Sequence, residues 1–377
     1  QIAAPPVRPL AMPEFGQEFY PLDSLPGVEF AVDTATQTMN ITVPASLLSG
    51  SSWDGLNNIR TNASRSAPGL FINHDFQMFQ GYGRRSLSGL VEGGLFSRFG
   101  VLTSQFAGGD LTNHLKPIRL NTQFFRDFPE AMSNLTIGDS ISAISPWARS
   151  VYYAGVRYAS KFATQPGFVP IALPGLSSVA AQPSTVDVYV NNVKSLSRQI
   201  DAGPFSISNI PTLTDQGQIR MVVTDTLGRQ QVITESYIRS SQLLRPGVSD
   251  FTYEGGMLRR GYGFTSNQYE SYFLAGTHRR GITEHLTWEG RLEYQPTSET
   301  AGMGLVYAIR HVGTLAGGAA TSVQPGYRTG QMYYAQFSRQ QRSFGLAAQL
   351  QSASRDFRQV GLADWQLATK KLLQGQI

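Results

Sequence analysis

Cysteine is absent from the 377-residue sequence, and charged residues are scarce. The lack of cysteine excludes disulfide scaffolds, thiol catalysis and cysteine-based zinc sites. Charged residues make up 15% of the chain, whereas soluble domains carry about 25%. No run of about 18 apolar residues is present, which excludes helical membrane spans but not the short alternating strands of a membrane barrel.

The basic residues are scattered, so the net charge of +5 does not form a stripe. Nucleic-acid binders usually concentrate their positive charge on one surface, and we therefore expect no nucleic-acid partner. The 41% hydrophobic content excludes a wholly disordered chain.

From about Gly69 onwards, apolar and polar residues alternate with a period of two. The clearest case is the stretch 282–294, where Trp288 and Leu292 fall on one side and Glu289 and Arg291 on the other. Such alternation predicts strands with one apolar and one polar face. Long strands with aromatic residues near their ends favour an outer-membrane barrel, while a soluble all-β protein remains the alternative.

Between residues 183 and 239 the predicted strands become shorter, and Val186, Val188 and Met221 mark compact apolar alternation. The segment Asp225–Gly228 has the composition of a hairpin turn. We predict a small β domain inserted into the strand array. Six strands are predicted before it and about seven after it; the six lie near residues 69–80, 86–96, 98–107, 117–126, 132–139 and 150–160.

The two ends of the chain differ in sequence pattern from the array of predicted strands. A proline-rich lead precedes two predicted strands at Val32–Asp33 and Met39–Val43, and a polar linker follows at Ser49–Ser66. The segment Leu362–Ile377 lacks strand alternation, and we expect it to be irregular.

Isolated polar residues suggest no catalytic, cofactor or metal site. His74 stands alone, and His278 and His285 lie seven positions apart across a predicted turn. Ser88-Gly89 lacks the flanking pattern of a hydrolase nucleophile, and Gly81-Tyr82-Gly83 reads as a hairpin because no helix follows it. We expect the protein not to be an enzyme.

Ordered pieces of the chain resemble the outer-membrane fimbrial ushers of chaperone–usher pilus biogenesis. The resemblance extends over residues 15–360. Within the family, the chain resembles in particular the ushers whose pili assemble spore-coat-like subunits. It is carried by residues 126–130, 135–140, 155–156, 162–168, 183–188, 191, 203–205, 223–225, 228, 243–247, 262–263, 266 and 277–286.

The resemblance implies an all-β fold, a partial transmembrane antiparallel β-barrel with an inserted small β-sandwich plug domain. It implies the following organisation: 1–66, the end of a periplasmic chaperone-binding domain and a linker; 67–182, barrel strands; 183–240, the plug; 241–360, further barrel strands; 361–377, an irregular end. Ushers carry about two dozen barrel strands, and we therefore expect the chain to be a fragment that begins inside the chaperone-binding domain. The implied localisation is the bacterial outer membrane, with the amino-terminal part and the plug facing the periplasm or the lumen.

The resemblance also implies the function. Ushers receive periplasmic chaperone–subunit complexes, promote subunit polymerisation by donor-strand exchange and secrete the fimbria, with no cofactor. The implied partners are a periplasmic pilus chaperone, pilus subunits, outer-membrane lipid and a second usher copy. The residues implied in the plug and its gating are Pro183, Asp187, Asn191, Gly203, Pro204, Phe205, Asp225, Gly228, Leu244 and Arg245. A passive porin-type channel and a soluble adhesin-like sandwich are the alternative functions, and a soluble protein would fractionate without detergent.

Overall fold

The computed structural model describes residues 10–12, 17–19, 25, 27–56, 60–62, 64, 66–81, 84–109, 116–310, 312–340, 344–362 and 371–376. These residues form two compact units: a small unit, residues 1–57 with 173–239, and a large unit, residues 58–172 with 240–377. The expected proline-rich lead and residues Tyr82-Gly83 of the expected hairpin lie outside the described residues.

The described secondary structure consists of strands and short turns. The strands are β1 (Leu10–Met12), β2 (Gln17–Phe19), β3 (Glu29–Asp33), β4 (Thr38–Thr42), β5 (Ser51–Asp54), β6 (Gly69–Gly81), β7 (Arg84–Ser97), β8 (Gly100–Gly108), β9 (Ile118–Phe128), β10 (Ser133–Ile141), β11 (Tyr152–Ser160), β12 (Leu176–Ala180), β13 (Ser184–Val190), β14 (Val193–Ile200), β15 (Gly203–Ser208), β16 (Gln216–Asp225), β17 (Gln230–Ile238), β18 (Ser249–Arg259), β19 (Tyr269–Thr283), β20 (Leu286–Gln295), β21 (Ser298–Ile309), β22 (Gly313–Val323), β23 (Gly330–Gln340), β24 (Gly345–Ala353) and β25 (Lys371–Gln376). Two 3-10 turns lie at Ala45–Leu47 and Phe162–Thr164. In the part of the chain that the structure describes, no helix is long and apolar enough to cross a membrane.

The large unit is a single antiparallel sheet of 14 strands. Chain neighbours pair throughout, except that β11 pairs directly with β18 across the inserted residues. The six strands predicted before the insert are present. After it the structure has eight strands rather than about seven, because the expected irregular end contains β25, which pairs with β24. The short sequence of β25 carries little alternation of its own, so this strand is defined by its partner.

A hairpin turn interrupts the stretch 282–294, which the alternation predicted as one strand. The strand β19 ends at Thr283 and β20 begins at Leu286. A two-residue turn by itself would invert the order of apolar and polar positions. The ladder, however, shifts register between Gly281 and Thr283, and such a bulge adds one residue to one strand. The two shifts cancel, and the alternation therefore continues through the turn.

The two faces of this sheet differ as the alternation predicted. On one face, hereafter the exposed face, Trp288 is 37% and Leu292 66% exposed. On the other, hereafter the polar face, Arg291 is 3% and Glu293 4% exposed. Apolar residues outside and buried polar residues inside are what a membrane-spanning sheet requires. The structure confirms the predicted fold class, an all-β partial transmembrane barrel with an inserted small sandwich.

The small unit contains two sheets that enclose its own core. One has the order β14-β13-β16-β17, and the other has the order β12-β15-β5. The strand β5 comes from the segment expected to be a linker, and it pairs in parallel with β15. The strand β12 lies before the expected start of the plug at Pro183. The unit also includes the pairs β1–β2 and β3–β4, and the latter occupies the two strand positions predicted near the amino terminus.

Candidate functional site

Period-two alternation places the apolar side chains of β13 and β16 in the core of the small unit. Val188 and Met221 are fully buried there and pack with Phe205 and Ile207 of β15. The ring of Trp53, from β5, stacks on Phe205 with 6.0 Å between ring centroids. The strand β5, which precedes the insert in the sequence, therefore contributes an aromatic side chain to the core of the insert.

Replacing Phe205 by alanine is expected to destabilise the small unit by about 3–5 kcal/mol, because the cavity left behind loses both transfer and packing energy. Hydrogen exchange of the amides of β13 and β16 measures this loss as local unfolding. The control is Val193→Ala, because Val193 is 70% exposed and its truncation should stay within about 0.5 kcal/mol. Equal protection in both variants would contradict the assignment of Phe205 to this core.

Three of the residues implied in the plug lie at β13. Pro183 is exposed and directly precedes the strand. Asp187 accepts hydrogen bonds from Lys194 at 2.7 Å and Ser197 at 2.6 Å on β14. Both bonds hold the pKa of the Asp187 carboxyl below its usual value, and the bond to Asp187 raises the pKa of Lys194. Asp187 therefore joins two neighbouring strands of the sandwich.

Asn191 forms the turn between β13 and β14 in a left-handed conformation, with φ of 49°. Its Oδ1 accepts a hydrogen bond from the backbone N–H of Gln218 at 3.0 Å, and its Nδ2 donates to the Thr214 hydroxyl at 3.0 Å. A Cβ on Gly217 would lie 2.1 Å from Asn191 Oδ1. Asn191 thus fastens this turn onto the start of β16.

Gly203, Pro204 and Phe205 open β15. The φ of Gly203 is 134°, and a Cβ there would lie 3.2 Å from Leu48 Cβ. Proline is tolerated near the start of a strand, and β5 pairs with β15 only from Phe205 onwards. These residues therefore set the point at which β5 can join the sheet.

Asp225 and Gly228 form the predicted hairpin turn between β16 and β17. Asp225 Oδ1 accepts backbone hydrogen bonds from Leu227 and Arg229, each at 2.9 Å, and Gly228 has a φ of 81°. Burial opposes ionisation of Asp225, but hydrogen bonds from the Arg229 side chain and the backbone outweigh it and lower the pKa of the carboxyl. The turn is thus stabilised by its own acidic side chain.

Leu244 and Arg245 lie in the large unit, apart from the other eight implied residues. Leu244 is buried, and its N–H donates to the Thr287 hydroxyl of β20 at 2.8 Å. A Cβ on Gly281 would lie 2.2 Å from the carbonyl oxygen of Arg245, so the chain passes closely over β19 here. These two residues attach the segment that follows the insert to the sheet. The gating role of all ten residues stays a prediction.

A first cluster of charges, at the ends of strands in the large unit, was not predicted. Asp139 of β10 accepts hydrogen bonds from Arg119 of β9, from Arg259 of β18 at 3.2 Å and from the Tyr269 hydroxyl at 2.7 Å. The Arg259 side chain is 1% exposed. Asp139 shares the parity of Ile137 in β10, and Arg259 shares that of Met257 in β18, so the alternation does not mark either residue as polar. Their meeting also depends on residues up to 150 positions apart.

A second cluster lies among residues of β18 and β20. Arg291 Nε is 2.8 Å from Glu293 Oε1, and Arg291 Nη1 is 3.8 Å from Glu254 Oε1. The sequence predicted Arg291 and Glu293 on the polar face, and the structure adds Glu254 to them. Buried charges require such partners because an isolated one is strongly disfavoured.

Two loops of the large unit lie against this polar face. Trp147, between β10 and β11, is 1% exposed and packs 5.4 Å from the ring of Tyr334. Its carbonyl oxygen accepts a hydrogen bond from Gln359 Nε2 at 2.6 Å, and the N–H of Val360 donates to Glu293 at 3.1 Å. Among the described residues, no three His, Cys, Asp or Glu side chains are grouped so that they could hold a metal ion.

Comparisons with known proteins give the family. The sequence profile of the family "Outer membrane usher protein" matches residues 109–364. The F1 capsule-anchoring protein of Yersinia pestis is 24% identical over 184 residues, 49% of this chain and 22% of that protein. The outer membrane usher protein HifC of Haemophilus influenzae is 26% identical over 209 residues, 54% of this chain and 24% of that protein.

A solved structure shows the same fold. The cryo-EM structure of an Escherichia coli P pilus tip assembly intermediate, PapC-PapD-PapK-PapG, matches with a TM-score of 0.62 at 19% identity. It covers 95% of this chain and 47% of the matched chain. The chain thus spans about a quarter of the curated relatives it matches and about half of this structural relative. Since the family profile matches more than half of its residues, the chain belongs to the outer membrane usher protein family.

Proposed function

We propose that this protein recruits periplasmic chaperone–subunit complexes, promotes polymerisation of pilus subunits by donor-strand exchange, and secretes the fimbria through a barrel gated by the small unit. The observation that carries the proposal is the position of the insert. A sandwich with its own core is placed between β11 and β18, two strands that pair directly in the membrane sheet. The chain leaves and re-enters a continuous sheet to form a separate body, as a movable plug requires.

The proposed chemistry makes and breaks no covalent bond. In donor-strand exchange, a subunit that lacks a strand accepts one from a neighbour in place of the chaperone's strand, which is β-augmentation. The usher would contribute proximity and orientation of the two reacting partners. The PapC structure that this chain resembles contains PapD, PapK and PapG, which supports a chaperone and pilus subunits as the partners here.

The surfaces of the sheet fit this proposal. The exposed face offers Trp288 and Leu292 to outer-membrane lipid, and the buried charges of the polar face would line the path. A second copy of the chain is a further proposed partner.

Removal of the gene tests the proposal in the bacterium that carries it. We expect surface pili to be lost while subunits accumulate in the periplasm bound to their chaperone, and the tagged protein should copurify with such complexes from envelopes. Reintroducing the intact gene is the control and should restore the pili. Unchanged piliation together with altered uptake of small solutes would favour the passive porin instead.

A further inference from the structure

The chain crosses three times between its two compact units, after Asn57, after Ala172 and after Arg239. On the large unit, the described residues next to these crossings include 60–62, 165–172 and 240–246. Hydrogen bonds within the large unit hold these three segments together, although they are far apart in the sequence.

Gln165 connects the first segment to the second. It follows the 3-10 turn Phe162–Thr164 and is only 6% exposed. Its Oε1 accepts a hydrogen bond from the N–H of Thr61 at 3.0 Å, and its Nε2 donates to the carbonyl oxygens of Thr61 and Pro129, each at 3.2 Å. The side-chain amide carries both donors and acceptors, and it pairs with Thr61 on both sides as a neighbouring strand would.

The second and third segments pair through their backbones. Ala172 N–H donates to the carbonyl oxygen of Leu243 at 3.0 Å, and Arg245 N–H donates to that of Pro170 at 2.8 Å. Ile171 and Leu244 form an antiparallel bridge between these bonds. The chain thus runs towards the insert and returns from it as a short two-stranded ribbon.

A small cavity lies at the point where the three segments meet. Its volume is about 160 Å³, and its lining includes Arg60, Gln165, Phe168 and Arg245, at least one residue from each segment. The guanidinium of Arg245 lies 4.8 Å from the centre of the Phe168 ring. This stacking is a second link between the second and third segments. The hydrogen bonds described above for the first segment, in contrast, all involve the side chain of Gln165.

We propose that Gln165 is a positioning residue for the gate, because its amide holds the strap Arg60–Asn62 against the paired ribbon. The three crossings then form one anchored pivot, and the small unit has less conformational freedom than with two anchored crossings. Loss of the clamp frees the strap and raises the population of displaced plug states. This inference rests on the proposed function of a plug-gated pore.

The first test is Gln165→Leu, in the protein as its own bacterium makes it. Leucine has a similar size but no hydrogen-bonding group, and we expect the conductance in planar bilayers to rise about tenfold, as the net loss of a hydrogen bond implies. The amount of heat-modifiable, assembled protein should stay unchanged, which separates gating from folding. The matched control is Thr164→Val, because the Thr164 hydroxyl donates its hydrogen bond to the carbonyl of Lys161 within the same turn, at 2.8 Å.

The second test restores the clamp covalently. The 377 residues contain no cysteine, so within them a bismaleimide added to the variant Thr61→Cys/Gln165→Cys can join only these two positions. We expect raised conductance before bridging and a return towards the native level after it. A purely structural role of Gln165 would not make the conductance depend on the bridge, and this variant also decides the matter if Gln165→Leu fails to assemble.

Deletion of residues 173–239 is the reference in the same assay. Raised conductance in the deletion, with native conductance in Gln165→Leu and in the unbridged cysteine variant, would overturn the clamp and leave the gated pore intact. A leak that bridging does not reduce would also overturn it. Native conductance in the deletion itself would refute the plug-gated function, and the clamp with it.

Discussion

Deletion of residues 173–239 is expected to turn the protein into a permanently open channel. The deletion starts before Pro183 because β12 supplies Leu176 and Ala180 to the core of the small unit. The remaining ends can be rejoined without strain, since Ala172 and Leu243 are already hydrogen-bonded to each other at 3.0 Å. Single-channel conductance and sensitivity to large antibiotics measure the result, and both should rise by about tenfold or more if the insert is the plug of a wide pore.

The control for this deletion is a variant that keeps the insert but weakens its core, Phe205→Ala. It retains all the connections of the chain, and we expect a smaller and temperature-dependent leak, because the small unit unfolds only part of the time. Native permeability after confirmed assembly of the deletion variant would show that the insert does something other than close the channel.

Leu350→Arg is expected to prevent most of the protein from assembling in the membrane. Leu350 is 55% exposed on the exposed face near the middle of β24. An arginine that faces lipid near the midplane of the bilayer costs about 2–4 kcal/mol. The fraction of protein that shows heat-modifiable migration in detergent gels measures this loss.

Gln349→Arg is the matched control for the lipid-facing arginine. Gln349 is the preceding residue of the same strand and points to the polar face, where it is half-buried. Gln349 is preferred to Glu289 as the control because the Glu289 carboxylate lies 3.3 Å from Arg279 Nε. An arginine at position 289 would therefore also be repelled by Arg279. Equal loss of assembled protein in both arginine variants would contradict the assignment of the two faces.

The sequence alone predicted features that depend on local geometry. Successive side chains of a strand point to opposite faces, so the period of two separated Trp288 and Leu292 from Arg291 and Glu293 and placed Val188 and Met221 in a separate core. The hairpin at Asp225–Gly228 follows from turn chemistry that acts over four residues. The ordered resemblance over most of the chain indicated the family.

Tertiary structure decided which distant segments meet. Ser51–Asp54 reads as a polar linker, and it is a strand only because β15, about 150 residues later, offers it an edge. The segment Lys371–Gln376 is a strand because β24 precedes it in the sheet, and a register shift at Ile282 hides a turn inside an unbroken alternation. The clamp at Gln165 and the carboxylate of Asp139 depend on side chains from several segments. Alternation fixes the face of each residue but carries no information about its partner across the sheet, because pairing is set by the arrangement of the whole chain.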